Sequence, residues 1–429
     1  SLYTIEISGP SIASIFKVPA LRFPEFSGEW EKFRVSDFIE FFPTNSLSWD
    51  QLEYRGAGLL NLHYGMIHNG LPVQVDVSKN ALPSIKEDYY PKKYTLCKEG
   101  DIAFADASED TNDVGKAIEF NNCAGKSIVC GLHTIHGRDR LGLTSIGFKG
   151  YLFSSKVYHD QIKSIAQGTK VFSIKASNFD EVILGLPKKE EQKKISSLLM
   201  TIDDRILTQS KIIEELKTLR GALVNTYIND GNNNNENQTI MSLGAYGCFV
   251  RGLTYSSVDV TDDTATTGVV RSNNLEYGSP VDIKADLVYV TKKPRPEQML
   301  VNGDIVICMA NGSSSLVGKA SNYQELCRNM TVGAFCGIYR GTHPLTKWIF
   351  MSSAYCKAVA NAIQGGNGAI ANLHAEDILS MYFAVSSDYK TITELGKLLS
   401  LFDKKLHAAE EQLARFIEQK KYFLFKMFI

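Results

Sequence analysis

Residues 187–228, PKKEEQKKISSLLMTIDDRILTQSKIIEELKTLRGALVNTYI, decide the fold of this chain. Apolar residues recur along the stretch in alternating steps of four and three, and eight of the ten positions reached between residues 195 and 227 are apolar or aromatic. This 3.5-residue repeat is typical of a helix with one stripe packed along another helix. At about 1.5 Å per residue, a helix of about 42 residues is roughly 60 Å long. It is therefore predicted to extend beyond any single globular core.

A second stripe with the same repeat lies 200 positions later, and nine of its ten positions are apolar. The exception, Lys420, aligns with Arg220, the basic residue of the first stripe. The shared register indicates that the two helices pair, and the symmetry of a duplicated chain favours an antiparallel coiled coil in which Arg220 and Lys420 lie apart and reach solvent. The residues predicted to make the pairing are Ile195, Leu199, Ile202, Ile206, Ile213, Leu216, Leu223, Leu395, Leu399, Phe402, Leu406, Leu413, Phe416 and Phe423.

The duplication continues upstream of the helices, which indicates an internal repeat rather than two unrelated helices. Each half carries an aromatic pair at the same spacing, Tyr151 with Tyr158 in the first half and Trp348 with Tyr355 in the second. Three short motifs recur in the same order: Asn-Leu-X-Tyr-Gly at 61–65 and 274–278, Gly-Asp-Ile at 100–102 and 303–305, and Val-Gly-Lys-Ala at 114–117 and 317–320.

The predicted fold class is α+β, with two similar, β-rich mixed domains, each followed by a long helix. Strands are predicted at 102–104, 117–120 and 127–130, and a helix at 151–166. The predicted boundaries are a lead-in at 1–17, the first domain at 18–186, the first long helix at 187–228, an Asn-rich linker at 229–238, the second domain at 239–386 and the second long helix at 387–429.

Composition predicts a soluble globular protein, with 44% hydrophobic and 22% charged residues. No apolar run approaches the 18 residues of a membrane span, and nothing at the start resembles a signal peptide, so a cytoplasmic protein without a membrane partner is predicted. The formal net charge is −1. Proteins that bind nucleic acid alone usually carry a basic excess, so a DNA-binding role for this chain implies partners that supply phosphate contacts.

Neither a catalytic set nor a metal site is predicted. The eight cysteines are scattered without a CxxC pair, which is typical of buried thiols in a reducing compartment. His133 and His136 stand in a β-rich run without a matching cysteine or carboxylate pattern, and the corresponding region of the second domain has Cys336 but no histidine pair. Two equivalent domains that share no titratable cluster are predicted to serve recognition.

Basic residues beside turn-forming residues are the candidate DNA contacts, because Arg, Lys and Asn side chains can pair with base edges in a groove. These loops differ between the two halves while the framework motifs agree, as expected for two readers of different sequences. The candidates are Lys92, Lys93, Arg138 and Arg140 in the first domain, and Arg251, Arg271, Asn273, Lys292, Lys293 and Arg295 in the second.

From residue 18 onward, the chain resembles the specificity subunits of type I restriction–modification systems (the HsdS family). The resemblance is carried by LRFPEFSGEW at 21–30, by the two Gly-Asp-Ile segments, and by the first helix entrance with Pro187, Glu191, Gln192 and the run IDDRI at 202–206. The second helix entrance departs from this pattern, with Ser, Thr and Ile at positions 387, 391 and 392.

The resemblance implies a non-catalytic subunit with two target recognition domains, each of which reads one half of a bipartite double-stranded DNA site. The helices would set the gap between the half-sites and dock two methyltransferase subunits, and restriction subunits would complete the complex. No cofactor is expected on this chain, since S-adenosylmethionine, ATP and Mg²⁺ would bind the partner subunits.

Two other classes of function are compatible with the sequence. A coiled-coil scaffold could present two protein-binding domains, and an enzyme could place two half-sites across a pseudo-twofold axis. A neighbouring gene for an adenine methyltransferase would favour the specificity subunit, whereas turnover of a nucleic acid by the purified chain would favour the enzyme.

Overall fold

The structure, a computed structural model, describes residues 3–4, 17–54, 58–230, 238–284, 286–324, 329–363 and 370–429. Most of the predicted lead-in at 1–17 and of the Asn-rich linker at 229–238 lies outside the described residues. The chain divides into two compact units, unit 1 with residues 1–210 and 411–429, and unit 2 with residues 211–410. Each unit therefore contains a part of both long helices.

The helices include the two predicted long ones and several short ones between the strands. They are α1 Val35–Phe38, α2 Tyr64–His68, α3 Lys149–Leu152, α4 Lys156–Ile165, α5 Lys189–Tyr227, α6 Leu243–Tyr246, α7 Thr346–Ile349, α8 Ser353–Ala362, α9 Ala375–Ser380 and α10 Tyr389–Lys426. Short 3-10 helices lie at Trp49–Gln51, Glu87–Tyr89, Ala176–Asp180, Ser257–Asp259, Ser272–Asn274, Pro296–Gln298 and Ser314–Leu316.

The strands before α5 are β1 Tyr3–Thr4, β2 Leu21–Arg22, β3 Glu31–Arg34, β4 Ile39–Phe42, β5 Leu52–Glu53, β6 Leu60–Leu62, β7 Gln74–Asp76, β8 Ser84–Ile85, β9 Ile102–Ala105, β10 Ala107–Ser108, β11 Ala117–Asn122, β12 Ile128–Cys130, β13 Thr134–Asp139, β14 Phe172–Ser173 and β15 Ile183–Leu186. The later ones are β16 Gln238–Ser242, β17 Gly247–Arg251, β18 Val260–Thr261, β19 Thr267–Val270, β20 Val288–Val290, β21 Ile305–Cys308, β22 Ala310–Asn311, β23 Ala320–Asn322, β24 Met330–Val332, β25 Cys336–Gly341, β26 Ala371–Asn372 and β27 Tyr382–Ser386.

Unit 1 is built on a five-stranded sheet, β4-β13-β9-β11-β7, and a four-stranded sheet, β12-β6-β8-β5. Pairing is antiparallel except for β11 with β7 and β12 with β6. Strands β9, β11 and β12 confirm the three predicted from the sequence. Apolar side chains of β9 and β11 fill two cores, one of which includes Ile195, Leu199 and Ile202 of α5 with Phe423 of α10.

Unit 2 repeats this plan with two four-stranded sheets, β17-β25-β21-β23 and β18-β20-β19-β24. As in unit 1, a parallel pair, β19 with β24, stands among antiparallel ones. One core includes Val224 and Ile228 together with Leu395 and Leu399 of α10. The predicted fold class is confirmed: two similar mixed domains, each followed by a long helix.

The predicted single helix at 151–166 is wrong, because the structure has two helices there, α3 and α4. Ser155 interrupts them, and its hydroxyl accepts a hydrogen bond from the backbone N–H of Tyr158 at 3.3 Å. Unit 2 has the same break, where Ser352 accepts from the N–H of Tyr355 at 3.1 Å. Serine is a strong N-cap residue because its side chain satisfies an N–H that the helix leaves unpaired.

The long helices run antiparallel within each unit. In unit 1, Asp203 of α5 pairs with Lys420 of α10 at 2.5 Å. In unit 2, Arg220 of α5 pairs with Asp403 of α10 at 2.7 Å. The predicted helix-pairing residues are all buried or half-buried. The helix α10 begins at a predicted cap, Asp388, whose carboxylate accepts from the N–H groups of residues 390 and 391.

The prediction that Arg220 and Lys420 reach solvent is wrong. The Arg220 side chain is 10% exposed and also donates to the carbonyl of Gly278 at 2.9 Å, while the Lys420 side chain is 20% exposed. Each basic residue is held by an aspartate of the other helix, Asp403 or Asp203. The two basic positions in the stripes are therefore part of the helix pairing, because a buried charge is tolerated when it is paired and hydrogen-bonded.

The phase of the stripe also changes at the end of α5. Tyr227, which continues the 3.5-residue repeat, is 37% exposed, whereas Val224 and Ile228 are 1% exposed. These two residues belong to the core of unit 2. A straight helix with 3.6 residues per turn drifts from a 3.5-residue repeat, so the last turn presents the next row of residues to the domain core.

The repeated Val-Gly-Lys-Ala motif forms a tight turn in both units. Gly115 and Gly318 have positive φ angles of 72° and 81°. Their carbonyls accept a hydrogen bond, each at 2.8 Å, from the buried hydroxyls of Tyr158 and Tyr355. The turn needs glycine because a Cβ would meet the following helix, as at Gly318, where it would overlap Cγ1 of Val359.

Replacing Gly318 with alanine is expected to lower the free energy of unfolding by about 2–4 kcal/mol, from the strained φ and the overlap with Val359. Gly312→Ala is the matched control, because a Cβ there meets open space at an ordinary φ. Denaturant unfolding of both variants measures the difference. Equal stability of the two variants would contradict this account of the turn.

Candidate nucleic-acid interface

A bidentate aspartate–arginine pair stands at the same place in both units. Asp101 of the first Gly-Asp-Ile motif accepts from Nε and Nη2 of Arg138 at 2.8 and 2.6 Å. Asp304 of the second motif accepts from the same atoms of Arg340 at 2.7 and 2.7 Å. Both aspartates are 1% exposed. The motif thus supplies a buried carboxylate that orients an arginine.

Each of these arginines also holds the loop that precedes the motif. Nη2 of Arg138 donates to the carbonyl of Leu96 at 2.9 Å, and Nη2 of Arg340 donates to the carbonyl of Met299 at 2.9 Å. The loops held in this way carry Lys92 and Lys93 in unit 1 and residues 292–295 in unit 2. The same scaffold contact therefore supports a different basic loop in each unit.

Burial raises the pKa of the Asp101 carboxyl, but the hydrogen bonds from Arg138 and His136 outweigh burial and leave this pKa below its ordinary value. The hydrogen bonds that Arg138 donates to Asp101 in turn raise the pKa of Arg138. The pair is thus ionised at neutral pH, as the scaffold contact requires.

In unit 2, most of the predicted DNA contacts form one connected surface. Gln298 donates to the carbonyl of Arg251 at 3.0 Å and accepts from the N–H of Arg295 at 3.1 Å. Lys292 donates to the carbonyl of Thr254 at 2.7 Å, so the segments 251–255 and 292–298 lie side by side. The side chains of Arg251, Lys292, Lys293 and Arg295 are exposed on it.

Arg271 and Asn273 are more constrained than the other candidates of unit 2. Arg271 pairs with Asp286 at 3.0 Å, and Asn273 donates to the backbone carbonyl of the same residue at 3.3 Å. Arg271 and Tyr255 both lie beside Gly333. A Cβ built on this glycine would be 3.8 Å from Cγ of Arg271 and 3.8 Å from Cε1 of Tyr255. Arg271 thus borders the segment 251–255, and a partner would have to compete with Asp286 for its guanidinium.

In unit 1 the four residues predicted to contact DNA do not lie together on one surface. Lys92 and Lys93 are exposed on the loop before the Gly-Asp-Ile motif. Arg140 lies elsewhere, and its Nη2 donates to the carbonyl of Asp37 at 2.9 Å. Arg138 is not a loop residue, because it lies in β13 and its guanidinium is engaged by Asp101. The sequence predicts that Arg138 is a variable residue, but Arg340 is its structural counterpart, so Arg138 belongs to the repeated scaffold.

An aromatic surface beside the lysines was missed in the sequence. Tyr89, Tyr90 and Tyr94 are 45%, 41% and 51% exposed, and Trp49 and Tyr54 are 45% and 63% exposed. The N–H of Lys86, just before these tyrosines, donates to the carbonyl of Gln51 at 3.1 Å, which joins the two segments. The interleaving of tyrosine and lysine in DYYPKKY at 88–94 was the available signal. Exposed aromatic rings with lysines are typical of surfaces that stack on unpaired bases and contact the phosphate backbone.

The sequence shows no matching cysteine or carboxylate pattern beside His136, but the structure brings both kinds of side chain to it. His136 Nε2 lies 2.8 Å from Oδ2 of Asp101, and Cys97 and Cys130 lie close to the ring. Sheet pairing brings these residues together from separate segments, which a search for adjacent motifs does not detect. Of the predicted buried thiols, Cys248 and Cys356 are exposed.

Among the described residues, no helix combines the length and the apolar character that a membrane crossing requires.

Comparison with known proteins gives a consistent family of relatives. Residues 132–218 match the family described as "Type I restriction modification DNA specificity domain". The type I restriction enzyme EcoKI specificity subunit of Escherichia coli (strain K12) is 28% identical over 194 residues, 43% of this chain and 40% of that protein. The StySPI specificity subunit of Salmonella potsdam is 37% identical over 97 residues, 21% of this chain and 20% of that protein. These alignments span less than half of either relative.

Two solved structures share the fold over almost the whole chain. The S subunit of a type I restriction–modification system from M. genitalium has a TM-score of 0.56 at 15% identity, covering 96% of this chain and 99% of that one. A chain from a structure on complex assembly and conformational transition of the type I R-M system has a TM-score of 0.54 at 12% identity, covering 92% and 96%. At these identities the likeness concerns the fold alone. Together, the comparisons confirm the resemblance predicted from the sequence.

Proposed function

We propose that this chain, a relative of the type I restriction–modification specificity subunits by sequence and by fold, is the DNA-recognition subunit of such a complex. The observation that carries the proposal is the repeated scaffold contact. In both units a buried aspartate orients an arginine, Arg138 or Arg340, which holds the backbone of a basic loop. The two loops differ in sequence, so each domain would read its own half of a bipartite double-stranded DNA site.

The charge of the chain supports a role within a complex. With a net charge of −1, the chain lacks the basic excess that strong phosphate binding needs on its own. Methyltransferase subunits docked on the paired helices would supply phosphate contacts, and restriction subunits would complete the assembly. In this proposal S-adenosylmethionine, ATP and Mg²⁺ bind the partner subunits, and this chain contributes specificity without catalysis.

Replacing Lys292, Lys293 and Arg295 together with alanine is expected to disturb recognition of one half of the target. Lost base contacts cost about 1–3 kcal/mol each and relax the base choice at that position, whereas lost phosphate contacts weaken all sequences alike. The double replacement of Lys92 and Lys93 is expected to disturb the other half. The readout is the set of adenines methylated in cells that express each variant with its methyltransferase partner.

The control for the half-site experiment is Lys357→Ala, which removes an exposed lysine of unit 2 from a different part of the surface. Its methylation pattern is expected to equal that of the unmodified chain. If both loop variants keep the full target and the full extent of methylation, the loops do not contact DNA. If sequence-dependent methylation does not require the chain, the proposed function is wrong. The alternative, a scaffold that presents two protein-binding domains, then takes its place.

A further inference from the structure

Three metal-ligating side chains, Cys97, Cys130 and His136, meet in the core of unit 1. The Sγ atoms of the two cysteines are 3.6 Å apart. One ring nitrogen of His136 and the two sulfurs all lie within 4.8 Å of one another. The backbone sets the placement, because the N–H of Cys97 donates to the carbonyl of Ile128, at the start of β12, at 2.8 Å.

The sulfur spacing suits a thiophilic divalent ion. Zinc–thiolate bonds are about 2.3 Å long, so two thiolates on a tetrahedral zinc ion are about 3.8 Å apart. The observed separation of 3.6 Å between Cys97 and Cys130 needs little adjustment to reach this value. Cys₂His is also a donor set that zinc accepts, with a fourth position for a non-protein ligand.

Charge and hydrogen bonding around the cluster fit the same ion. His136 Nε2 bonds to Asp101, while its Nδ1 is buried and has no hydrogen-bond partner among the described residues. A carboxylate on one ring nitrogen is the usual support for a metal-bound histidine. Two thiolates offset a 2+ ion, and Asp101 is offset by Arg138, so the loaded site is neutral. A neutral site avoids the cost of an isolated buried charge.

Unit 2 shows that the scaffold does not need this histidine. Counting from the paired arginines, Ile338 stands two residues before Arg340 as His136 stands two residues before Arg138. The Asp304–Arg340 pair is nonetheless bidentate. His136 is therefore an addition specific to unit 1, and a buried ring nitrogen is costly to leave without a hydrogen-bond partner or a ligand.

We propose that Cys97, Cys130 and His136 bind one thiophilic divalent ion such as Zn²⁺. The ion would join the segment after the Lys92–Lys93 loop to strands β12 and β13. All three ligands are buried, so the ion would lie inside the domain, where it links these segments. The site is independent of the proposed DNA recognition, since it concerns the interior of one domain.

The test uses the full chain, purified under reducing conditions, stripped with a chelator and titrated with Co²⁺ as a spectroscopic probe and with Zn²⁺. The expected result is one ion per chain, with thiolate-to-cobalt absorption that Zn²⁺ abolishes by displacement. In Cys130→Ser and His136→Gln the bound ion is expected to fall from one per chain to none. Cys123→Ser is the matched control, because Cys123 is buried in the same core but lies outside the group of three.

The measurement on the unmodified chain keeps the test independent of whether the variants fold. Failure of the folded, reduced chain to bind Co²⁺ through thiolates overturns the proposal. So does retention of the ion by Cys130→Ser, or its loss in a folded Cys123→Ser chain.

Discussion

A fragment of residues 1–230 is expected to form a homodimer with a true twofold axis. In the full chain the stripe of α5 is covered by α10, and without α10 its apolar surface meets water at a cost of about 25 cal/mol per Å². A second copy of α5 offers the same register, since Leu223 and Ile228 stand 200 positions before Phe423 and Phe428, which pack in the core of unit 1. Self-pairing therefore restores burial.

The polar contacts of the helices support the same exchange. Arg220 stands 200 positions before Lys420, so Arg220 of a second copy can take the place of Lys420 beside Asp203. The helix ends agree as well. The carbonyl of Ile429 accepts from the N–H of Gly185 at 2.7 Å, and the carbonyl of Asn229 accepts from the N–H of Ala384 at 2.9 Å. The chain after α10 is thus bound to a strand of unit 1, and the chain after α5 is bound to a strand of unit 2 by the same kind of backbone contact.

The mass of the fragment in solution, measured by light scattering, tests the dimer. Co-expressed with the methyltransferase, the fragment is expected to direct methylation to a palindrome built from two copies of one half-site, because a closed isologous dimer presents two identical readers. A monomeric fragment, or an asymmetric methylated target, would show that the two helices are not interchangeable.

A matched pair of substitutions distinguishes pairing through the apolar stripe from non-specific association of the fragment. Leu216→Asp places a charge on the stripe, where Leu216 is 8% exposed, and is expected to give a monomer. Leu219→Asp places the same charge on the outer face, where Leu219 is 57% exposed, and is expected to leave the dimer intact. Dissociation by both substitutions, or by neither, would contradict the assigned stripe.

The second large effect is expected for Arg138→Met, which should lower the free energy of unfolding by about 3–5 kcal/mol, because it leaves the Asp101 carboxylate buried without its cation. Lys17→Met is the control in the same unit. It breaks an ion pair with Glu29 in which the side chains are 61% and 63% exposed, and such surface pairs contribute about 0–1 kcal/mol. Chemical denaturation of the full chain measures both variants.

The Asp101–Arg138 pair is also expected to make unit 1 sensitive to acid. The folded pKa of Asp101 lies below its ordinary value of about 3.9, so the pair stabilises the fold fully at pH values above this. That contribution is lost as the pH falls through the folded pKa. Arg138→Met is therefore expected to flatten the acid limb of the stability profile. An unchanged limb would show that Asp101 does not depend on Arg138.

The long helices, their pairing and the duplication were open to prediction, because helical periodicity and internal repetition are local properties of a sequence. Even the basic positions 220 and 420 were visible in the stripes, although their role was misjudged. An off-centre place in the antiparallel pair predicts that both side chains reach solvent, and only the tertiary structure shows that Asp403 and Asp203 pair with them. The Gly-Asp-Ile motif was likewise visible as a repeat without a known purpose.

Tertiary structure alone decided what these repeated residues do. The pairing of β13 with β9 carries Arg138 and His136 to Asp101, and the placement of residue 97 beside β12 brings Cys97 to Cys130. These contacts join residues that are more than thirty positions apart, and their geometry depends on sheet register rather than on spacing in the chain. Local pattern therefore determines the helices and the twofold plan, whereas strand pairing determines the scaffold pair and the loops that it supports.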